Sequence, residues 1–347
     1  MNRRRLLLGN EAIARGLLEN GCRMATSYPG TPASEILAAV AEFKRQERLD
    51  LHVQWAVNEK IALEIAYAGC MAGLRTAVSM KQVGLNVASD PFMSAAYMGV
   101  AGGFIVISAD DPGPHSSQTE QDSRMMAMMA KVPVLDPDSP RQAKEMIGTA
   151  YALSEAFKTP VMLRPTTRVC HSRQDVPIQP MAAAAVEARF ERDPARWAAT
   201  PNFRLKLHRE LEGKLAAIAA HAPSAPLRLN PGAASQRAVV ASGVAAAHVR
   251  EILKELGIWE KVAFYQVRQP FPLHTEFIAH LLGAYRDVLV LEETTGVIEM
   301  QLAERTRVRG KQSGAVPRVG ELTPERIHDL LGDFAGIPTK AVAAAGA

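Results

Sequence analysis

Residues 22–37 read "CRMATSYPGTPASEIL", and the parsing of that stretch decides the fold. "CRMATS" (22–27) has the length and small, apolar character of a buried strand, and from Ser34 onward apolar residues recur at helical spacing. Tyr28, Pro29, Gly30, Thr31 and Pro32 form the junction. Thr31 is expected to cap the helix, with Pro32 at its first position. Capping does not call for Tyr28, Pro29 and Gly30 in front of it. A glycine between two prolines is a stiff loop that a ligand can approach closely. The junction therefore reads both as a helix start and as one wall of a site.

The same alternation continues along the chain. Strands are expected at 22–27, 52–57, 75–80, 103–108, 132–135 and 160–164, with helices at 34–46, 60–73, 87–101 and 139–157. This spacing predicts an α/β fold with a parallel sheet. Residues 181–235 lack strand signals, carry one expected helix at 204–221, and read as a connection. A second series then follows: strands at 237–243, 262–267 and 287–293, and helices at 244–256 and 274–285. The expected organisation is a domain over 1–180, a connection over 181–235, a smaller α/β domain over 236–335 and a flexible tail over 336–347.

Composition narrows the function. A chain of 347 residues that is 48% hydrophobic and 22% charged has the composition of a soluble globular protein. Its net charge of +4 comes from dispersed basic residues, which argues against nucleic acid as a partner. The opening "MNRRRLLLGNE" breaks its apolar run too early for an export signal, and no stretch is long enough to span a bilayer. Cys22, Cys70 and Cys170 lie far apart in small or apolar contexts, so no metal site or cluster is expected in this chain. A cytoplasmic location is the expectation.

Ligands of parallel α/β sheets gather outside the carboxyl ends of the strands. Four consecutive strand ends here carry more polar and glycine residues than turns require. "YPGT" follows the first and "NEK" (58–60) the second, placing Glu59 in the first turn of a helix whose remainder is small and apolar. A first-turn glutamate is ordinarily a solvated one, and Glu64 on the same helix is read as structural. "SMKQVGLNVASDP" (79–91) sets Lys81, Gly84 and Asn86 at the third strand end. "SADDPGPHSSQTEQDSR" (108–124) is a long polar loop whose His115 and Arg124 suit an anionic substrate. Asp110, Asp111 and Asp122 are read as solvating or holding that loop. Tyr28, Phe92, Tyr97 and "RMMAMM" (124–129) could line an apolar pocket, although core packing is the simpler reading of the methionines.

These segments, with "PRVGELTPERI" (317–327), resemble in order the α subunit of indolepyruvate ferredoxin oxidoreductase, a thiamine-diphosphate-dependent 2-oxoacid:ferredoxin oxidoreductase. The similarity runs over residues 4–330. It implies that 1–180 is the pyrimidine-binding parallel-sheet domain of a thiamine enzyme, and that 236–335 is similar to the C-terminal domain of transketolase. It further implies that Glu59 contacts N1′ of the aminopyrimidine ring as the catalytic acid, with Tyr28, Pro29, Gly30, Gly84 and Asn86 on the cofactor side. Thr31, Lys81, His115 and Arg124 fall on the substrate side. The reaction implied converts an aryl 2-oxoacid, of the indolepyruvate, phenylpyruvate or arylglyoxylate type, and coenzyme A to an acyl-CoA. Ferredoxin or a similar acceptor takes the electrons.

The chain also departs from the family pattern. A diphosphate-binding motif beginning Gly-Asp-Gly is expected further on, yet the nearest match is "GDF" at 332–334, and no cysteine run is present. The expectation is one half of a split enzyme, inactive alone, in a two-fold hetero-oligomer. Partner subunits would hold the diphosphate, Mg2+ and 4Fe-4S clusters. Rival readings are the β subunit of a lipoamide-linked 2-oxoacid dehydrogenase, a split transketolase half, or a non-catalytic α/β module. Against the last, no phosphate-cradling glycine motif follows a strand.

Overall fold

The computed structural model describes residues 4–182, 187–198 and 200–337. Its larger sheet has six parallel strands in the order 52–55, 24–27, 76–81, 104–109, 161–163, 134–135. Strand Phe104–Ala109 is buried along its whole length. Its alternate residues feed two different cores: Ile105 and Ile107 meet Ile13, Leu17 and Ile147, while Phe104 and Val106 meet Leu63 and Phe92. A strand covered on both faces must be apolar throughout, as this one is.

The strand order places the site. Strand Met24–Ser27 lies between His52–Trp55 and Thr76–Lys81, so the chain leaves it in one direction and later returns on the other side. Helix Ser34–Glu47 buries Ile36, Leu37 and Val40 in one core, and helix Glu59–Met71 buries Ala62, Leu63 and Ala66 in the other. Two successive connections thus cross opposite faces, which opens a crevice at the carboxyl ends of the strands between them.

The second sheet is mixed, in the order 308–309, 287–291, 237–242, 263–267, 227–228, with the last strand antiparallel. Again the central strand alternates, Val239 and Ala241 into one core and Ala238 and Val240 into the other.

Several expectations are corrected. The "RRLLL" run is a strand, Arg4–Leu8, paired antiparallel with Arg173–Pro177 and pinned by an Arg4–Asp175 ion pair. The helix expected at 87–101 is two, Gln82–Val87 and Ser89–Met98, because Pro91 has no N–H to donate back to Val87. The expected connection holds helix Pro201–Ala219, which buries Leu207, Leu211 and Ile218. Residues 183–186 of that connection, 199, and residues 338–347 of the expected tail lie outside the described residues. Phe92 is fully buried core, and Met129 is 70% exposed, so these residues form no common pocket.

Candidate functional site

Asn58 explains why the helix begins where it does: its Oδ1 accepts from the Ile61 N–H at 2.9 Å, which makes Glu59 the first helical residue. The Glu59 side chain is half-buried and lies across Gly84. A Cβ on Gly84 would stand 2.4 Å from Glu59 Oε1 and 2.7 Å from its Cγ, so only glycine leaves room for the carboxylate there. Among the described residues the carboxylate accepts no hydrogen bond and pairs with no cation. Its neighbour Lys60, by contrast, pairs with Asp90 at 2.8 Å and Glu64 at 3.8 Å.

The "YPGT" junction differs from the expected cap. The Thr31–Pro32 peptide is cis, the Ala33 N–H donates to Gly30 O at 2.8 Å, and the helix begins only at Ser34. Ser34 Oγ reaches back to accept from the Gly30 N–H at 2.8 Å, and buried Asn10 donates to Pro32 O at 2.7 Å. The loop is therefore held by Ser34 and Asn10, leaving Tyr28, Pro29 and Thr31 exposed at its tip. The Thr31 hydroxyl is not used as a cap.

Lys81 joins three of the four loops. It ends its strand, its Cβ lies 3.2 Å from where a Gly30 Cβ would be, and its Nζ donates to Ser116 O at 3.3 Å. Asn86 donates to Gln121 Oε1 at 2.9 Å, which ties the third loop to the fourth. His115 lies beside Ser116 but turns toward the second domain, its Nε2 3.4 Å from Glu321 Oε2. Glu321 also pairs with Arg168, and the Gly320 N–H donates to the Glu120 carboxylate at 3.0 and 3.1 Å. The "PRVGELTP" motif thus clasps the fourth loop.

Arg124 requires a correction. Its guanidinium is fully buried and donates to Asp122, to Glu292 at 3.0 Å and to the carbonyls of Glu293 and Thr295. An arginine whose nitrogens are engaged inside the protein is a latch between the two domains, and it is removed from the substrate side. Sequence reading missed the company it keeps. Arg164 binds Asp110 at 2.7 Å and Thr294 at 3.1 Å, and Ser242 binds Asp136 at 3.0 Å. Burial pushes the Glu292 and Glu293 carboxyls up to about 7, against the opposing pull of Arg124 and Arg164 respectively. Burial also acts to raise Asp122, but Arg124 outweighs it and the carboxyl is lowered. Asp110 and Asp122 hold the loop, as one of the two sequence readings had it. Strand-end acids in a "DVLVLEE" run were the available signal.

A carboxylate without a protein partner over a bare glycine fits a flat heterocycle bearing a ring nitrogen. Tyr28 is 37%, Trp55 44% and Val57 80% exposed at the first two strand ends, and Val87, at the end of helix Gln82–Val87, is 49% exposed. All three cysteines are buried and free, and burial raises the thiols of Cys22 and Cys70 to about 11 and about 12. Among the described residues no cluster of metal-ligating side chains occurs, and no helix is long and apolar enough to cross a membrane.

The family model described as "Pyruvate flavodoxin/ferredoxin oxidoreductase, thiamine diP-bdg" matches residues 15–225. That is more than half of the chain, and the chain belongs to this family. It is 39% identical over 350 residues to the indolepyruvate oxidoreductase subunit IorA of Thermococcus kodakarensis, covering 96% of this chain and 53% of the relative. The subunit of the same name from Methanothermobacter thermautotrophicus is 38% identical, with 96% and 55% covered. The chain therefore spans about half the length of these curated relatives. Among solved structures, a 2-oxoglutarate:ferredoxin oxidoreductase from Magnetococcus marinus superposes with a TM-score of 0.75 at 17% identity, covering 96% of this chain and 66% of that one. A split gene transketolase superposes at 0.58 and 14% identity, with 96% and 99% covered. These two share the fold.

Proposed function

We propose that this chain is the aminopyrimidine-holding subunit of a thiamine-diphosphate-dependent oxidoreductase acting on an aryl 2-oxoacid. The 2-oxoacid loses CO2 and two electrons, coenzyme A takes the acyl group, and ferredoxin or a similar acceptor takes the electrons one at a time. Family membership and the names of the relatives support the reaction class. The observation that carries the reading is the unpartnered Glu59 carboxylate over Gly84 at the sheet's crevice.

Thiamine diphosphate, when bound, supplies the carbanion chemistry. This chain's residues do the rest. With that cofactor bound, Glu59 would share a proton with the ring nitrogen N1′ of the aminopyrimidine and so set its tautomer. Gly84 keeps the space under that carboxylate clear, and Gly30 lets Lys81 lie flat against the first loop. Tyr28, Pro29 and Asn86 complete the wall. The Thr31 hydroxyl, the Lys81 ammonium and His115 are the groups available to the substrate's 2-oxo and carboxylate oxygens. A partner subunit binding the diphosphate and Mg2+ covers the rim of Tyr28, Trp55, Val57 and Val87, whose exposure needs such a cover. A further iron–sulfur or ferredoxin subunit receives the electrons, and the assembly is a two-fold hetero-oligomer.

Calorimetry tests the division of labour. The isolated chain binds thiamine diphosphate weakly with or without Mg2+, whereas the complex with its partner binds tightly. Tight, Mg2+-dependent binding to this chain alone would refute the reading.

A further inference from the structure

A cleft at the far edge of the large sheet has the makings of a second binding site. The segment Arg268–Phe271 of the second domain runs beside the edge strand Val134–Leu135. The Val134 N–H donates to Phe271 O at 2.7 Å, and the Asp136 N–H donates to Arg268 O at 2.9 Å. These bonds fix the backbone on either side of Gln269. Facing that segment, helix Pro140–Phe157 presents Met146, Leu153 and Ala156 at helical spacing, and the turn at His221 closes one side. The open cleft between them is about 360 Å3, within the range of small-molecule sites.

Its polar groups are few and unsatisfied. Gln269 is 2% exposed; its Nε2 donates to Pro272 O at 2.9 Å, while its Oε1 is buried without a partner. The half-buried Arg268 guanidinium lines the same cavity, and among the described residues it makes no hydrogen bond or ion pair. The guanidinium groups of Arg124 and Arg164 are, by contrast, fully engaged. An unpaired guanidinium takes a carboxylate in bidentate fashion.

From this geometry we infer that the cleft binds a small amphipathic carboxylic acid: the carboxylate on Arg268 and an apolar ring or chain against Met146, Leu153 and Ala156. The site is separate from the crevice of Glu59. Glu59 follows the edge strand His52–Trp55, and the cleft lies on the opposite edge strand, five strand spacings away. At ~4.8 Å per spacing the edges stand about 24 Å apart.

The test is isothermal titration of the full chain with 4-hydroxyphenylacetate and 4-methylphenol, with thermal melting to confirm that each variant folds. The hydroxylated acid binds with one-to-one stoichiometry. The uncharged 4-methylphenol loses about tenfold or more. Arg268→Ala weakens the hydroxylated acid by about tenfold or more. Ala156→Phe, which fills the cleft from an exposed helical position, abolishes binding. No binding at millimolar concentration overturns the inference, and so does binding that either variant leaves unchanged.

Discussion

Glu59 Oε1 lies so close over Gly84 that a methyl group on Gly84 would approach it to 2.4 Å. The two residues sit on different helices that follow different strands, so their contact fastens two loops of the crevice together.

This contact separates stability from activity. Gly84 is helical with ordinary backbone angles, where alanine is favoured over glycine by about 1 kcal/mol. The Glu59 side chain can swing aside at small cost. Gly84→Ala should therefore leave the melting temperature unchanged or raised while turnover of the assembled complex falls at least about tenfold. Parallel melting and kinetic measurements check this; equal turnover would show that the carboxylate need not lie there.

Glu59→Gln keeps the shape and removes the exchangeable charge. In the assembled complex, turnover is expected to drop by about 10²–10⁴, the range of general acid–base losses, with the thermal midpoint unmoved. Near-normal turnover would remove Glu59 from the chemistry.

Arg124 should behave as a structural residue. Arg124→Met strands Asp122 and Glu292 in the interior, and breaking a buried pair costs about 3–5 kcal/mol. Urea denaturation should show a lower midpoint at that scale. A variant with unaltered stability and a selectively raised KM would restore Arg124 to the substrate side.

The glutamates between the domains predict a pH dependence. Glu292 and Glu293 rise from 4.5 to about 7 on folding, Glu293 through burial and the nearby Glu321 and Asp136, opposed by Arg164. The folded state holds the extra protons, so their stabilising contribution is complete below the unfolded pKa near 4.5 and is lost as pH rises through about 7. The lowered carboxyl of Asp122 titrates below this window. The melting temperature should thus be higher at pH 6 than at pH 8, by at least about 2 °C. Glu293→Gln, a neutral stand-in for the protonated acid, should flatten that difference; an unchanged profile would show that Glu293 does not carry it.

Much of the fold was legible because parallel strands buried on both faces must be apolar, and "GFIVIS" and "RAVVAS" have no other use. The rim was legible too, since glycines and charges at strand ends are out of place in a packed core. What escaped were features that depend on distant partners. The strand Arg4–Leu8 is apparent only once Arg173–Pro177 is beside it. The cap at Thr31 was misread because Ser34 and Asn10, not the threonine, hold the loop. Arg124 was misassigned because one of its two acids, Glu292, lies in the second domain, and no local pattern records that pairing.

The clasp of Gly320 and Glu321 on Glu120, His115 and Arg168 has a consequence for dissection of the molecule. The fourth wall of the crevice takes its shape from a part of the polypeptide that contributes no strand to the crevice's own sheet. A fragment carrying the large sheet alone would keep its strand order yet release that wall and leave Arg124 and Asp122 without their neighbours. Trans-complementation with the missing fragment, rather than truncation, is the way to take this chain apart.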